Sequence, residues 1–103
     1  MLSTMEDPKN RTCWACGAYG PEEHHVFYGV ANRKKSEKYG LKVHLCSRHH
    51  RDNLDGVHGQ NKKLDQKLKE AGQRTFEQIY GSRDTCIQIF GKNYIQEDEK
   101  MNK

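Results

Sequence analysis

The chain is 103 residues long, 33% hydrophobic and 31% charged, with a mean hydropathy of −1.12, against roughly 45–50% apolar residues in an ordinary globular domain. One small domain is the limit, and 3 Phe, 1 Trp and 5 Tyr leave a core too small to offset backbone ordering comfortably, so a second stabilising device is expected. The formal charge of +4 from 18 Lys+Arg and 14 Asp+Glu permits a nucleic-acid partner without requiring one. No run approaches the roughly 18 apolar residues of a membrane helix, and the first residues lack the apolar stretch of a secretory signal. A soluble, cytoplasmic protein with no membrane contact is expected.

Taken in chain order, residues 1–10 read as a flexible N-terminal segment, 11–95 as the ordered domain and 96–103 as a flexible charged tail. Residues 24–28 and 41–46 carry Val26, Phe27, Tyr28, Val43 and Leu45 and predict two strands of a β-hairpin. Between them a basic, Gly-bounded stretch, 29–40, reads as the loop. After Cys46 the pattern turns polar and helical until Gly56 and Gly59 break it. A longer helix is predicted over 62–80, where Leu64, Leu68, Ala71, Phe76 and Ile79 recur near helical spacing and Gly81 follows. A short helix with Ser82 as N-cap turns Cys86, Ile87 and Phe90 inward and ends at Gly91. The class is α+β.

The cysteines carry the sharpest chemical signal. Cys13-x-x-Cys16 and Cys46-x-x-His49 are two ligand pairs with 29 residues between them, spaced to close a tetrahedral Cys₃His zinc site. Such an ion is the expected missing staple. The competing reading is a redox pair at Cys13 and Cys16. Cys86 lies at helical spacing with Ile87 and Phe90 and reads as a small buried hydrophobe.

Of the 6 His, five remain once His49 is assigned. Neighbouring side chains on a strand point to opposite faces and on a helix diverge by about 100°, so the pairs His24/His25 and His49/His50 must each split between two jobs. If His49 closes the zinc site, His50 points toward His24 across the hairpin. His58 joins them only if the chain bends at Gly56, because a straight helix would put it about 12 Å away. His44 alternates with Val43 and Leu45 and is expected to face solvent. Imidazoles must be deprotonated to bind a metal, so a site built from these His is expected to empty below about pH 6.

Cys13-x-x-Cys16, His24-His25-Val26-Phe27, Leu45-Cys46-Ser47-Arg48-His49-His50 and Val57-His58 together resemble the His-Asn-His (HNH) endonucleases. Within that family the chain is most similar to small phage and prophage nucleases related to the recombination-enhancement nucleases that act with RecA. The resemblance spans about residues 11–95. It implies a small zinc-stabilised treble clef, made of a zinc knuckle, a β-hairpin and a helix (the ββα-metal core), with added C-terminal helices. It makes the chain a metal-dependent DNA endonuclease of a bacterial host cell, with DNA and RecA or other recombination proteins as partners. Carried over residue by residue, it makes His25 the general base and gives His24, His50 and His58 to a second, catalytic divalent metal. A set so rich in His suits Zn²⁺ or Ni²⁺, with Mn²⁺ and Mg²⁺ as further candidates. Arg33, Lys34, Lys35, Lys38, Arg48 and Arg51 would contact nucleic acid. One departure stands out: the middle Asn of the family name would fall near Tyr39-Gly40, where none is present, leaving a backbone carbonyl to orient His25. The alternative function is a non-catalytic zinc module that binds DNA or a protein.

Overall fold

In a computed structural model that describes residues 1–95, the order of elements is β1 (Glu22–His25), α1 (Val30–Tyr39), β2 (Lys42–Leu45), α2 (Ser47–Arg51), α3 (Lys62–Ile79) and α4 (Arg83–Phe90). The charged tail expected at 96–103 lies outside the described residues. The class is α+β, as the sequence implies: among the described residues there are one two-stranded antiparallel sheet and four helices. No described helix is long and apolar enough to cross a membrane.

The connection between the strands corrects the sequence reading. Residues 29–40 are not a hairpin loop but are mostly the helix α1, bounded by Gly29 and by Gly40 in the left-handed conformation. Arg, Lys, Glu and Ala are good helix formers, yet this helix carries no apolar stripe for periodicity to detect. Its one buried position is Ser36. The Ser36 hydroxyl accepts from the Phe27 amide at 3.0 Å and donates to the Phe27 carbonyl at 2.7 Å, and the Lys35 ammonium donates to the Ile89 carbonyl at 2.7 Å. A hydrogen-bonded seam thus replaces an apolar face.

The strands pair in the register Glu22↔Leu45, Glu23↔His44, His24↔Val43 and His25↔Lys42. Alternation then puts Glu22, His24, Val43 and Leu45 on one face and Glu23, His25, Lys42 and His44 on the other. The expectation that His44 faces solvent does not hold, because its Nδ1 meets Glu6 Oε2 at 2.7 Å. Glu6 belongs to the N-terminal segment, which makes further contacts with the sheet and its turn. Ser3 Oγ donates to the Lys42 carbonyl at 2.6 Å, and the Thr4 amide to the Gly40 carbonyl at 2.8 Å.

The core gathers Val26, Phe27, Leu41, Val43, Leu45, Val57, Leu64, Leu68, Phe76, Cys86 and Phe90. Phe27 stacks on Phe90 with ring centroids 4.4 Å apart. Helix α3 closes over this cluster with Leu64, Leu68 and Phe76 buried, whereas Ile79, predicted on the same face, is exposed near the helix end. Gly72 allows the close approach: a Cβ there would lie 3.1 Å from both Phe27 and Val26 side chains. Helix α4 starts at its Ser82 cap and ends at Gly91 as predicted, with Cys86 buried and its thiol pushed up to about 11 by burial. That thiol is inert packing material.

The turn that holds Cys13 and Cys16 is fastened to the sheet. Thr12 bridges Tyr19, the Cys13 amide donates to the Ala18 carbonyl at 2.6 Å, and the Trp14 amide donates to His44 at 2.9 Å. Gly20 makes this docking possible, because a Cβ on it would sit 2.8 Å from the Cys13 nitrogen and 2.9 Å from the Leu45 carbonyl carbon. Both are backbone atoms with no freedom to swing aside. Gly20→Ala should therefore cost about 1–3 kcal/mol of stability, read as a lower midpoint in thermal unfolding followed by circular dichroism. An unchanged midpoint would show that the turn is not held against β2.

Candidate metal centres

Cys13, Cys16, Cys46 and His49 converge, with one ligand atom from each lying within 4.8 Å of the others. Cys46 sits at the N-cap of α2, so the first turn of that helix brings His49 back toward it. The Cys46 sulfur is 3.3 Å and the Cys13 sulfur 3.9 Å from His49 Nδ1, and the Cys16 and Cys46 sulfurs are 3.9 Å apart. Metal–sulfur and metal–nitrogen bonds of about 2.3 and 2.0 Å at tetrahedral angles imply separations of about 3.5–3.8 Å. The four residues can therefore hold a metal such as zinc. All four cysteines of the chain are free thiols, and a gap of 3.9 Å is far beyond a disulfide's roughly 2.05 Å.

The electrostatics favour thiolates that share a cation. Burial would push the Cys13 thiol up, but N–H groups of Cys46, Cys16 and Ala15 hold it below the ordinary thiol range. The Ala18 N–H draws Cys16 down, while burial and the neighbouring Cys13 and Cys46 sulfurs raise it above that range. A divalent ion removes the mutual repulsion that keeps the second thiolate from forming.

A second cluster joins His24, His50 and His58, again with ligand atoms within 4.8 Å. Their rings form a triangle with centroids 5.2 Å (His24–His50), 5.0 Å (His24–His58) and 5.0 Å (His50–His58) apart. His58 arrives by a bend that comes earlier than Gly56. Helix α2 ends at Arg51, Asp52 is extended, and its carboxylate accepts from the Leu54 and Asp55 amides at 3.0 Å. The chain then doubles back, with Val57 donating to His49 at 2.8 Å and His58 to His50 at 3.2 Å. An Asx-type turn thus sets the position that the sequence alone could not place.

Two observations fit this cluster to a metal. His24 is 2% exposed and its Nε2 is buried without a hydrogen-bond partner among the described residues, a costly arrangement unless a ligand satisfies the lone pair. His50 Nδ1 is held by Glu22 Oε1 at 2.8 Å, which orients the ring and leaves Nε2 to face the cluster. Glu22 also takes Arg51 at 2.6 and 3.1 Å and Ser47 at 2.8 Å. Arg51, His50 and Ser47, in that order, lower it to about 2. On the third side, Tyr28 packs against the His58 ring at 4.8 Å, and its hydroxyl donates to Asp65 at 3.2 Å. His58 itself is exposed, so the cluster opens to solvent there, whereas the thiolate site is filled by four protein ligands.

His25 lies on the opposite sheet face from His24, as strand alternation predicts. Its Nε2 is 2.7 Å from Glu37 Oε1, so the partner is a carboxylate and not the backbone carbonyl expected from the sequence. A cleft of about 250 Å³ is lined by His25, Arg33, Lys34 and Glu37. The other cations assigned to nucleic acid stand elsewhere. Lys35 is bound to Ile89, Lys38 lies over the Tyr39 ring at 5.4 Å, Arg48 pairs with Asp55 at 2.8 Å, and Arg51 pairs with Glu22. Glu22 and Glu37 were missed in the sequence. A carboxylate two residues before His24 was the available signal for the first; the loop reading of 29–40 hid the second.

A third group, Glu23, His25 and Glu37, also brings ligand atoms within 4.8 Å. The Lys42 ammonium already lies between its carboxylates, 3.4 Å from Glu23 and 3.1 Å from Glu37. That buried cation supplies the neutralisation a metal would provide.

No protein-family model, no curated protein and no solved structure matches this chain. Site chemistry therefore stands on the geometry alone.

Burial, then the charges of His58 and His50, lowers His24 to about 3, and burial also lowers His58. A depressed His takes up its proton only on unfolding, so acid destabilises the chain through these two residues as pH falls below about 6.5. The same depression leaves the His24 lone pair open to a metal below the pH 6 expected from ordinary imidazoles. Between pH 4 and 7 the plot of log Kd for Zn²⁺ at the second site against pH should carry a slope no steeper than two protons. A slope of three would show that His24 titrates. In a chelator titration the His site should empty first with circular dichroism unchanged, and loss of the thiolate-bound ion should unfold the domain.

Proposed function

We propose that the chain is a metal-dependent endonuclease of the His-Asn-His type that hydrolyses phosphodiester bonds in DNA, built on a treble-clef, ββα-metal core. The observation that carries this reading is the second cluster: three imidazoles converging on a solvent-open point, one with a buried, unpartnered Nε2. A purely structural zinc module needs only the thiolate site and leaves that atom unexplained. The redox alternative uses Cys13 and Cys16 and leaves Cys46 and His49 beside them without a role.

In this reading Cys13, Cys16, Cys46 and His49 hold a structural Zn²⁺ that fastens the knuckle to α2. His24, His50 and His58 would hold the catalytic ion, Zn²⁺ or Ni²⁺ by the softness of the ligands, with Mn²⁺ and Mg²⁺ as the harder alternatives. A divalent ion bound there supplies charge neutralisation at a phosphate. His25 takes the proton from the attacking water as its oxygen bonds to phosphorus and the bond to the 3′ oxygen breaks; that oxygen takes a proton from solvent. No covalent intermediate on the protein is needed. Arg33 and Lys34 line the cleft beside His25 and would bind flanking phosphates, whereas Arg48 and Arg51 on α2 are held by Asp55 and Glu22. Contacts to the backbone rather than to base edges imply little sequence preference. A phage or prophage origin, with RecA or another recombination protein as partner, is supported by the sequence resemblance.

The deciding experiment is plasmid cleavage by the purified chain across a panel of divalent metals, with His25→Ala alongside. The variant should keep its zinc and circular dichroism and lose at least about 10²-fold in rate. Cleavage by neither protein under any metal would leave the non-catalytic zinc module as the reading. The cleft makes a separate prediction: replacing both Arg33 and Lys34 by Ala should flatten the dependence of log DNA affinity on log salt by about 2, close to 0.9 per lost phosphate contact. An unchanged slope would place DNA elsewhere.

A further inference from the structure

We propose that Glu37 is a positioning residue for His25, fixing which ring nitrogen carries the hydrogen and which way the ring faces. The effect on rate rests on the endonuclease reading; the ring orientation rests on geometry alone. His25 Nε2 lies 2.7 Å from Glu37 Oε1, and the His25 side chain is 13% exposed. A carboxylate only accepts hydrogen bonds, so Nε2 must carry the hydrogen and the Nδ1 lone pair is the one left to take a proton from water. The arrangement resolves both tautomer and ring direction in one contact.

Glu37 is itself fixed. The Lys42 ammonium, on a side chain only 7% exposed, lies 3.1 Å from Oε1 and 3.2 Å from Oε2, and the Met1 ammonium is 2.8 Å from Oε2. These cations keep the carboxylate ionised and its plane defined. Lys42 is paired with His25 across the sheet, and Glu37 sits near the end of α1, so helix and strand hold the carboxylate from two sides. Proton transfer then runs as follows: the water O–H bond breaks, the proton goes to Nδ1, and the resulting imidazolium keeps its Nε2–H on Glu37. Negative charge beside that imidazolium stabilises it as it forms.

The test combines a double-mutant cycle with spectroscopy on the zinc-loaded chain. Glu37→Ala should lower kcat by about 10²–10⁴-fold, the range of a lost general base, with KM changed less than about three-fold. Combined with His25→Ala it should add no further loss, because a positioning residue acts only through the group it positions. Glu37→Gln keeps an acceptor oxygen for both Lys42 and His25; it should recover at least about ten-fold of the loss, and it stands in if the Ala variant fails to fold. Full activity in Glu37→Ala, or an equal further loss in the His25→Ala background, would overturn the proposal. If no form cleaves DNA, the endonuclease reading fails by itself, and proton NMR then decides. A downfield His25 Nε2–H resonance in the parent chain that disappears in Glu37→Ala supports the assignment, and a resonance unchanged by the substitution overturns it.

Discussion

The antiparallel pairing of two four-residue strands sets where His24 and His25 face and where Cys46 enters helix α2. With His24 opposite Val43 and His25 opposite Lys42, adjacent imidazoles are sent to opposite faces, one toward His50 and His58 and one toward Glu37. The same register carries β2 to Leu45 and delivers Cys46 as the cap of α2, so the thiolate site and the His cluster are both referred to one strand end. A slip of one residue would exchange the two faces and turn His24 out toward Glu37 while burying His25.

So short a sheet is not stable alone, and the chain surrounds it with polar rather than apolar devices. Ser36 clamps Phe27 through both backbone groups, Ser3 and Thr4 bond to the carbonyls of Lys42, Tyr39 and Gly40, and the knuckle docks through Trp14. Each is a hydrogen bond of modest net value, but together they satisfy a backbone that the small core of Phe27, Phe76, Phe90 and their aliphatic neighbours cannot cover. The Cys₃His cluster completes this pattern by joining two segments far apart in sequence at one point. A metal there would bear folding free energy directly.

Carboxylates aim three of the histidines. Glu22 holds His50, Glu37 holds His25 and Glu6 holds His44, all at 2.7–2.8 Å. Because a carboxylate cannot donate, each contact selects one ring nitrogen as the protonated one. His24 has no such partner, and its burial keeps it neutral. The imidazoles therefore differ in role through their surroundings rather than through their own chemistry.

Much was legible in residue order. The spacing of Cys13, Cys16, Cys46 and His49, the splitting of the His pairs, helix α3, and the Ser82 and Gly91 limits of α4 all follow from local rules of reach and periodicity, which need no knowledge of distant segments. Helix α1 was illegible because its buried side is a serine hydrogen-bonded to Phe27, a long-range contact that leaves no apolar period. The return of His58 depended on an Asp52 turn, and its ring's place beside His24 on a sheet face that the register selects. The orienting role of Glu37 could not be read either, since it lies twelve residues from His25 in the chain and meets it only when α1 folds back against β1. Sequence determined which side chains had the chemistry to bind metal; tertiary structure decided which of their nitrogens are held, which are buried and which face open space, because those properties belong to neighbours brought together by folding.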